Sequence, residues 1–211
     1  TSTSIELAPE GSGYRMKTRF SKFFNLPELI NMFKEVADIK TADMLNLPVP
    51  NAHYQNVAVK PSDIQKELVE SLGERAQKIR DGAVDPHEDN MLKITNDGRK
   101  LALDQRLINE LLPENKNSKV NACIKNILKI YHATVVEKST QLVFCDMSTP
   151  RNDAFNVYDE IRNKLLEEGI LESEIAYIHN AKTDVKKKEL FSKVREGKVR
   201  ILIGSTGKMG A

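Results

Sequence analysis

The sequence predicts an α/β fold in which a small parallel sheet with flanking helices follows a mostly helical region. Three short apolar runs, QLVFC (141–145), IAYI (175–178) and VRILI (199–203), alternate with two amphipathic helical patterns. The connections are short, so each strand–helix–strand step makes parallel neighbours. Before residue 118, apolar residues recur mainly at helical spacing between polar breaks. The expected division is therefore 1–117, mostly helical, and 118–211, α/β.

Residues 1–25 read as a loose lead-in, polar and glycine-containing up to Gly13, then basic and aromatic (YRMKTRFSKFF). Pro27 suits a first helical turn, and Leu29, Ile30, Phe33, Val36 and Ala37 follow as an apolar stripe. TADMLNLPVPN (41–51) holds two prolines and reads as an extended connection. YQNVAVK (54–60) alternates like a short strand. Pro61-Ser62-Asp63 caps a helix running to about Arg80, with Ile64, Leu68, Val69 and Leu72 on one face. Residues 81–97 are turn-rich, and a helix is expected from Gly98 onward through Leu101, Leu103, Leu107, Ile108 and Leu111. After a polar break from Pro113 to Ser118, a helix over 119–131 buries Val120, Cys123, Ile124, Ile127 and Ile130.

In the last third, QLVFC reads as a buried strand. Pro150 is expected to start a helix that runs to about Glu168, with Phe155, Tyr158, Ile161, Leu165 and Leu166 inward. IAYI is the second strand. A helix from Asp184 to Glu196, ended by Gly197, leads to VRILI, the third. The third strand, ending at Ile203, is expected to leave apolar surface uncovered or to have it covered by a partner chain, because three strands make an incomplete sheet.

Composition is that of an ordinary globular chain, with 40% hydrophobic and 29% charged residues in 211. No apolar run approaches the roughly 20 residues of a membrane span. Residues 1–13 (TSTSIELAPEGSG) lack a signal-peptide layout, and no initiator Met is present; the chain is read as a segment of a longer protein. Cys123 and Cys145, the two cysteines, form no CxxC pair and read as buried free thiols of a cytoplasmic protein. Net charge is +2, but Lys182–Arg200 holds eight Lys or Arg against three Asp or Glu, a local +5. That run is either a solvated helix face or a surface for an anionic partner.

In an open parallel sheet, ligands gather at the carboxyl ends of the strands. There the sequence places Asp146, Met147, Ser148 and Thr149, then His179, Asn180 and Lys182, then Ser205, Thr206, Gly207 and Lys208. Arg151 and Asp184 mark helix starts, whose free N–H groups favour anions. Such hydroxyls, amides and cations suit phosphate, although Ser148 and Thr149 serve equally well as helix caps. Carboxylates are few, so no metal site is expected. Gly207-Lys208 does not complete a Walker phosphate loop, because Leu202 stands where the first glycine is needed and Met209 follows the lysine. Neither a GxSxG nor an HExxH pattern occurs. Pro86-His87-Glu88-Asp89 reads as a solvated turn. Cys145 reads as core more than nucleophile.

QLVFCDMSTP followed by IAYIHNAKTDVKKKELFSKVREGKVRILIGSTGKMGA resembles the second RecA-like lobe of superfamily 2 helicases, nearest the Swi/Snf-type branch. QLVFC corresponds to the motif IV strand, and ILIGSTGKMGA is similar to the opening of motif V. Ser205-Thr206 matches its Ser-Thr pair and Gly210 a motif glycine. Gly207 departs from the branch, which often has a basic residue there; Lys208 is adjacent. TRFSKFFNLPELINMFKEVADIKTADMLNLPVP (18–50), DNMLKITNDGRKLALDQRL (89–107) and SKVNACI (118–124) are similar to inter-lobe segments of large helicase–DNA methylase proteins of phages and conjugative elements. The resemblance thus covers nearly the whole chain.

It implies a partial RecA-like lobe 2, cut within motif V, behind a helical connector. The whole protein would be an ATP-dependent DNA helicase or translocase, using ATP and Mg, in the cytoplasm of a bacterium or encoded by a mobile element. Its partners would be DNA, held by its backbone, and the first motor lobe; no membrane is implied. By family position, Ser148, Thr149, Arg151, His179, Asn180, Lys182, Ser205, Thr206 and Lys208 are the nucleic-acid contacts, and Gly207 and Gly210 face ATP across the lobe interface. No catalytic residue falls in this segment, which is expected to be inactive alone and to bind no cofactor. The alternative is a non-enzymatic nucleic-acid-binding or scaffolding α/β module.

Overall fold

The structure, a computed structural model, describes residues 2–7, 14–19, 24–45, 51–150 and 154–209. The chain forms two compact units, Thr1–Asn56 and Val57–Ala211. Arg151, Gly210, the Gly11–Gly13 pair and Pro48 and Pro50 lie outside the described residues.

The first unit corrects the loose lead-in. Strands β1 (Ser2–Leu7) and β2 (Tyr14–Arg19) pair antiparallel, from Ser2↔Arg19 to Leu7↔Tyr14. Ile5 faces Met16 in register, and the Thr3 and Thr18 hydroxyls hydrogen-bond across the strands at 2.9 Å. Ile5 and Met16 stay 71% and 76% exposed, so cross-strand pairs rather than a core hold this hairpin. Helix α1 (Leu26–Lys34) forms where Pro27 indicates. Asn25 precedes it in the left-handed conformation, φ 55°, which Asn tolerates, and its amide donates to the Glu28 carboxylate. The expected stripe Leu29, Ile30, Phe33 and Val36 is exposed rather than buried. A short helix α2 (Ala42–Leu45) occupies the start of the stretch expected to be extended.

The second unit is a mixed α/β domain: a small parallel sheet flanked by helices, with a helical region ahead of it. Residues 54–60 form no strand; Tyr54 and Val57 are exposed, and alternation without a pairing partner does not make a strand. Helix α3 (Asp63–Arg80) starts where Ser62 predicts. Ser62 Oγ accepts from Gln65 N–H at 3.0 Å, and Gln65 Oε1 accepts from Ser62 N–H at 2.9 Å, a reciprocal capping box. Helix α4 (Met91–Leu103) corrects the turn-rich reading of 91–97 and passes through Gly98. Its start is set by Asn90, whose Oδ1 accepts from Lys93 N–H. Burial of Ile94 and Leu101 sustains the helix against the roughly 1 kcal/mol cost of an interior glycine. It ends at Asp104 rather than continuing to Leu111, and a 3-10 turn (Gln105–Leu107) follows. Helix α5 (Lys119–Ala133), capped by Ser118, buries Val120, Ile124 and Ile127 as expected; Cys123 is half-buried and Ile130 is more exposed.

Strands β3 (Gln141–Phe144), β4 (Ile175–Tyr177) and β5 (Ile201–Gly204) are parallel, in the order β3-β5-β4. Helix α6 (Val157–Glu167) follows β3, and helix α7 (Asp184–Arg195) follows β4. The start expected at Pro150 is thereby corrected to Val157, because Asn156 is the residue whose side chain caps the helix, accepting from Asp159 N–H at 2.8 Å. One sheet face, Val143, Ile201, Ile203, Ile175 and Tyr177, packs with α5 and α6 through Ile124, Ile127, Tyr158, Ile161 and Leu165. On the other face Leu202 is fully buried, and Ala176 shares a cavity lining with Leu190 of α7. Each fully buried aliphatic side chain contributes about 1.5–3 kcal/mol.

Two expectations about exposure reverse. β5, expected to leave apolar surface open, is central and buried along its whole length. QLVFC, expected to be buried, is an edge strand whose Leu142 and Phe144 are half-exposed. Arg200, just before β5, is 3% exposed. Its Nη2 donates to Tyr131 O at 2.9 Å and to Thr134 O and Oγ1 at 3.0 Å, and its guanidinium stacks 3.9 Å from the Tyr131 ring centre. It therefore fastens the negative end of α5 to the sheet. Gly197 turns the chain into this segment with φ 68°, and a Cβ there would lie 2.9 Å from Lys138 Cβ.

Candidate functional site

The carboxyl edge of the sheet is assembled from three loops. After β3 come Asp146 to Thr149. After β4 comes a 3-10 turn, Ile178–Asn180. After β5 come Ser205 and the short helix α8 (Thr206–Met209). Asp146 joins the first and third loops: its carboxylate accepts from Thr206 N–H at 2.6 Å and from Thr206 Oγ1–H at 2.9 Å. The second and third loops meet over Gly204. A Cβ on Gly204 would lie 2.4 Å from Ile178 Cγ2 and 2.8 Å from Met209 Sδ, so only glycine allows both loops this close.

Tyr158 of α6, fully buried, braces the edge from below. Its hydroxyl donates to Cys145 O at 2.5 Å, and its ring meets His179 edge-on at 5.4 Å and Tyr177 at 5.6 Å. Burial raises its pKa, so the hydroxyl stays protonated and keeps donating. His179 carries a buried Nδ1 with no hydrogen-bond partner among the described residues. Burial lowers its pKa, with Lys208 adding to the effect, so the imidazole is neutral near pH 7.

The expected site residues divide into three groups. His179, Ser205, Thr206, Gly207 and Lys208 do converge at the edge. Ser148 and Thr149 also lie there, but the Ser148 hydroxyl accepts from Val157 N–H at 2.9 Å, and the residue adopts φ 59° to do so. Of its two readings, capping therefore describes its contact. Thr149 lines a cavity of about 520 Å³ beside α4. Asn180 faces elsewhere, into a cavity of about 450 Å³ with Arg162, Lys186 and Lys193. Lys182 is exposed. Arg151 and Gly210 fall outside the described residues.

Burial raises the thiol pKa of both Cys145 and Cys123, and Cys145 Sγ–H donates to Met147 O at 3.0 Å, so neither is primed as a nucleophile. No group of three or more His, Cys, Asp or Glu residues able to hold a metal occurs among the described residues. No helix among them is long and apolar enough to cross a membrane.

Sequence reading missed the wall opposite Thr149. Asn96, Arg99 and Lys100 of α4 and Arg106 line the same 520 Å³ cavity as Ser148 and Thr149, some 50 residues away in sequence. The adjacent cations Arg99-Lys100 were visible, but nothing local says that α4 lies against the β3–α6 loop. No protein-family model, no curated protein and no solved structure matches the chain.

Proposed function

We propose that this chain binds the phosphate backbone of nucleic acid, as part of an ATP-dependent DNA helicase or translocase whose second, RecA-like lobe it partly supplies. The observation that carries the reading is the joining of the three strand ends through Asp146, Gly204 and Tyr158. Around that junction lie the Ser205 and Thr206 hydroxyls, neutral His179 and Lys208, with Thr149 in the first loop and Lys182 following the second. Hydroxyls, amides and lysines of this kind position a strand without reading bases. The likeness of QLVFCDMSTP and ILIGSTGKMGA to motor-lobe segments supports the same assignment.

The residues of this chain do not fit ATP or Mg by themselves. Gly207-Lys208 lacks the phosphate-loop spacing. The Asp146 carboxylate at the edge is committed to Thr206. The role proposed for these residues is grip on the strand, not hydrolysis.

The test is fluorescence anisotropy with labelled DNA of unrelated sequences. Binding is expected to be salt-sensitive and nearly indifferent to sequence, and Lys182→Gln with Lys208→Gln is expected to weaken it. A protein carrying both motor lobes is expected to hydrolyse ATP faster when DNA is added. Absence of that stimulation counts against the motor assignment.

A further inference from the structure

The 520 Å³ cavity is lined by Asn96, Arg99 and Lys100 of α4 on one side and by residues 146–149 on the other, with Arg106 and Phe155 between them in its lining. Arg106 Nη2 reaches Glu160 at 3.0 Å and Asp104 at 2.9 Å, and its guanidinium lies 4.2 Å from the centre of the Phe155 ring. Phe155 N–H in turn donates to Glu110 Oε1 at 3.1 Å. These contacts tie residues 104–110, which follow α4, to residues 155–160 at the start of α6, and Arg106, Glu110 and Phe155 among them line the cavity.

The charged groups lining it differ in how far they are committed. Arg106 is ion-paired twice. Asp146 is hydrogen-bonded to Thr206 through both oxygens, and Glu110 accepts from Phe155 N–H. The Arg99 and Lys100 side chains have no ion pair or hydrogen bond among the described residues, and both line the cavity. Of the neutral polar groups in the lining, the Ser148 hydroxyl accepts from Val157 N–H and Asn156 caps α6, which leaves the Asn96 amide and the Thr149 hydroxyl beside the cations. Two uncommitted cations beside neutral donors suit an anion with several acceptor oxygens. A second, shallower cavity of about 400 Å³ shares Asn96 and Arg99 and extends this surface along α4.

We propose that this cavity binds a phosphate group through Arg99 and Lys100, with Thr149 and Asn96 as neutral donors. Resting on the nucleic-acid reading above, the assignment extends the strand path from the sheet edge onto α4. The chemistry is equally that of a free phosphate compound, and the test separates the two sources.

Two variants of equal charge change are compared: Arg99→Gln with Lys100→Gln, and Lys78→Gln with Lys129→Gln, whose lysines are exposed on α3 and α5. Thermal unfolding first establishes that both are folded. Labelled DNA is titrated across a salt series, and pyrophosphate is titrated while the Arg99 Nε–Hε NMR resonance is followed. The cavity variant is expected to lose about tenfold in DNA affinity at low salt and to flatten the log–log salt slope by about 2, with the control pair changing less than about twofold. If both pairs weaken binding equally, only net charge matters; the cavity assignment is overturned and the nucleic-acid reading stands. If DNA does not bind but pyrophosphate shifts Arg99, the site takes a free phosphate compound and the nucleic-acid reading falls. If neither ligand acts, both are overturned.

Discussion

Replacing Gly204 by alanine tests whether the three strand-end loops depend on one close approach. The added Cβ would sit 2.4 Å from Ile178 Cγ2 and 2.8 Å from Met209 Sδ. Ordinary carbon contacts begin at about 3.5 Å, so the Ile178 side must yield by about 1 Å. Met209 is unbranched and can swing its sulfur aside at little cost. Ile178 is β-branched and 1% exposed, so it cannot change rotamer freely and the 3-10 turn carrying His179 and Asn180 must move. Overpacking of this kind costs about 1–3 kcal/mol. For a chain of this size, each kcal/mol lowers Tm by about 2–4 °C, so Gly204→Ala should lower it by about 2–12 °C. Circular dichroism measures the transition, and NMR shifts of His179 and of residues 205–209 report the displacement. A Tm within about 1 °C of the parent, with unchanged His179 shifts, would refute the close-packing account.

Arg200→Ala removes three hydrogen bonds from the end of α5 and should destabilise by about 2–4 kcal/mol in urea denaturation, with Arg200→Lys recovering less than half because an ammonium lacks the planar face that stacks on the Tyr131 ring. Ser62→Ala loses the α3 cap and strips Gln105 Oε1 of its 2.7 Å donor, and should cost about 1–3 kcal/mol; a loss below the error of the melt would contradict the network. The lowered pKa of His179 means that the unfolded chain binds its proton first as pH falls. Its contribution to stability is therefore intact above about pH 6.5 and lost progressively below it. An NMR titration should place its pKa below the ordinary value, and His179→Phe should flatten the acid limb of the stability curve.

Legibility in the sequence followed what is local. The Ser62 cap, the helix over 119–131 and the three apolar runs were readable because each carries its signal within a few residues. Parallel pairing was also readable, since helical segments separate the strands. What failed depends on distant partners. The described side chains of the β1–β2 hairpin, at 3–5 and 16–19, are all exposed, so no buried face marks it in the sequence. Gly98 reads as a break, yet Ile94 and Leu101 on either side hold α4 together. Strand order decides that VRILI is central and QLVFC is an edge, and order is set by which face each crossing helix covers. At the edge, residue types were foreseen but not their commitments. Ser148 accepts from the first N–H of α6 and Thr206 bonds Asp146, while Arg99 and Lys100 come from a helix in the segment read as preceding the α/β part.

The central claim is that the strand-end surface grips nucleic-acid phosphate. Its most direct measurement is the salt dependence of DNA affinity for this chain, compared on two unrelated sequences. The account predicts that log K falls linearly with log salt concentration, equally for both sequences, and less steeply when Lys182 and Lys208 are neutralised. Affinity that does not change with salt, or no binding even at low ionic strength, would contradict it.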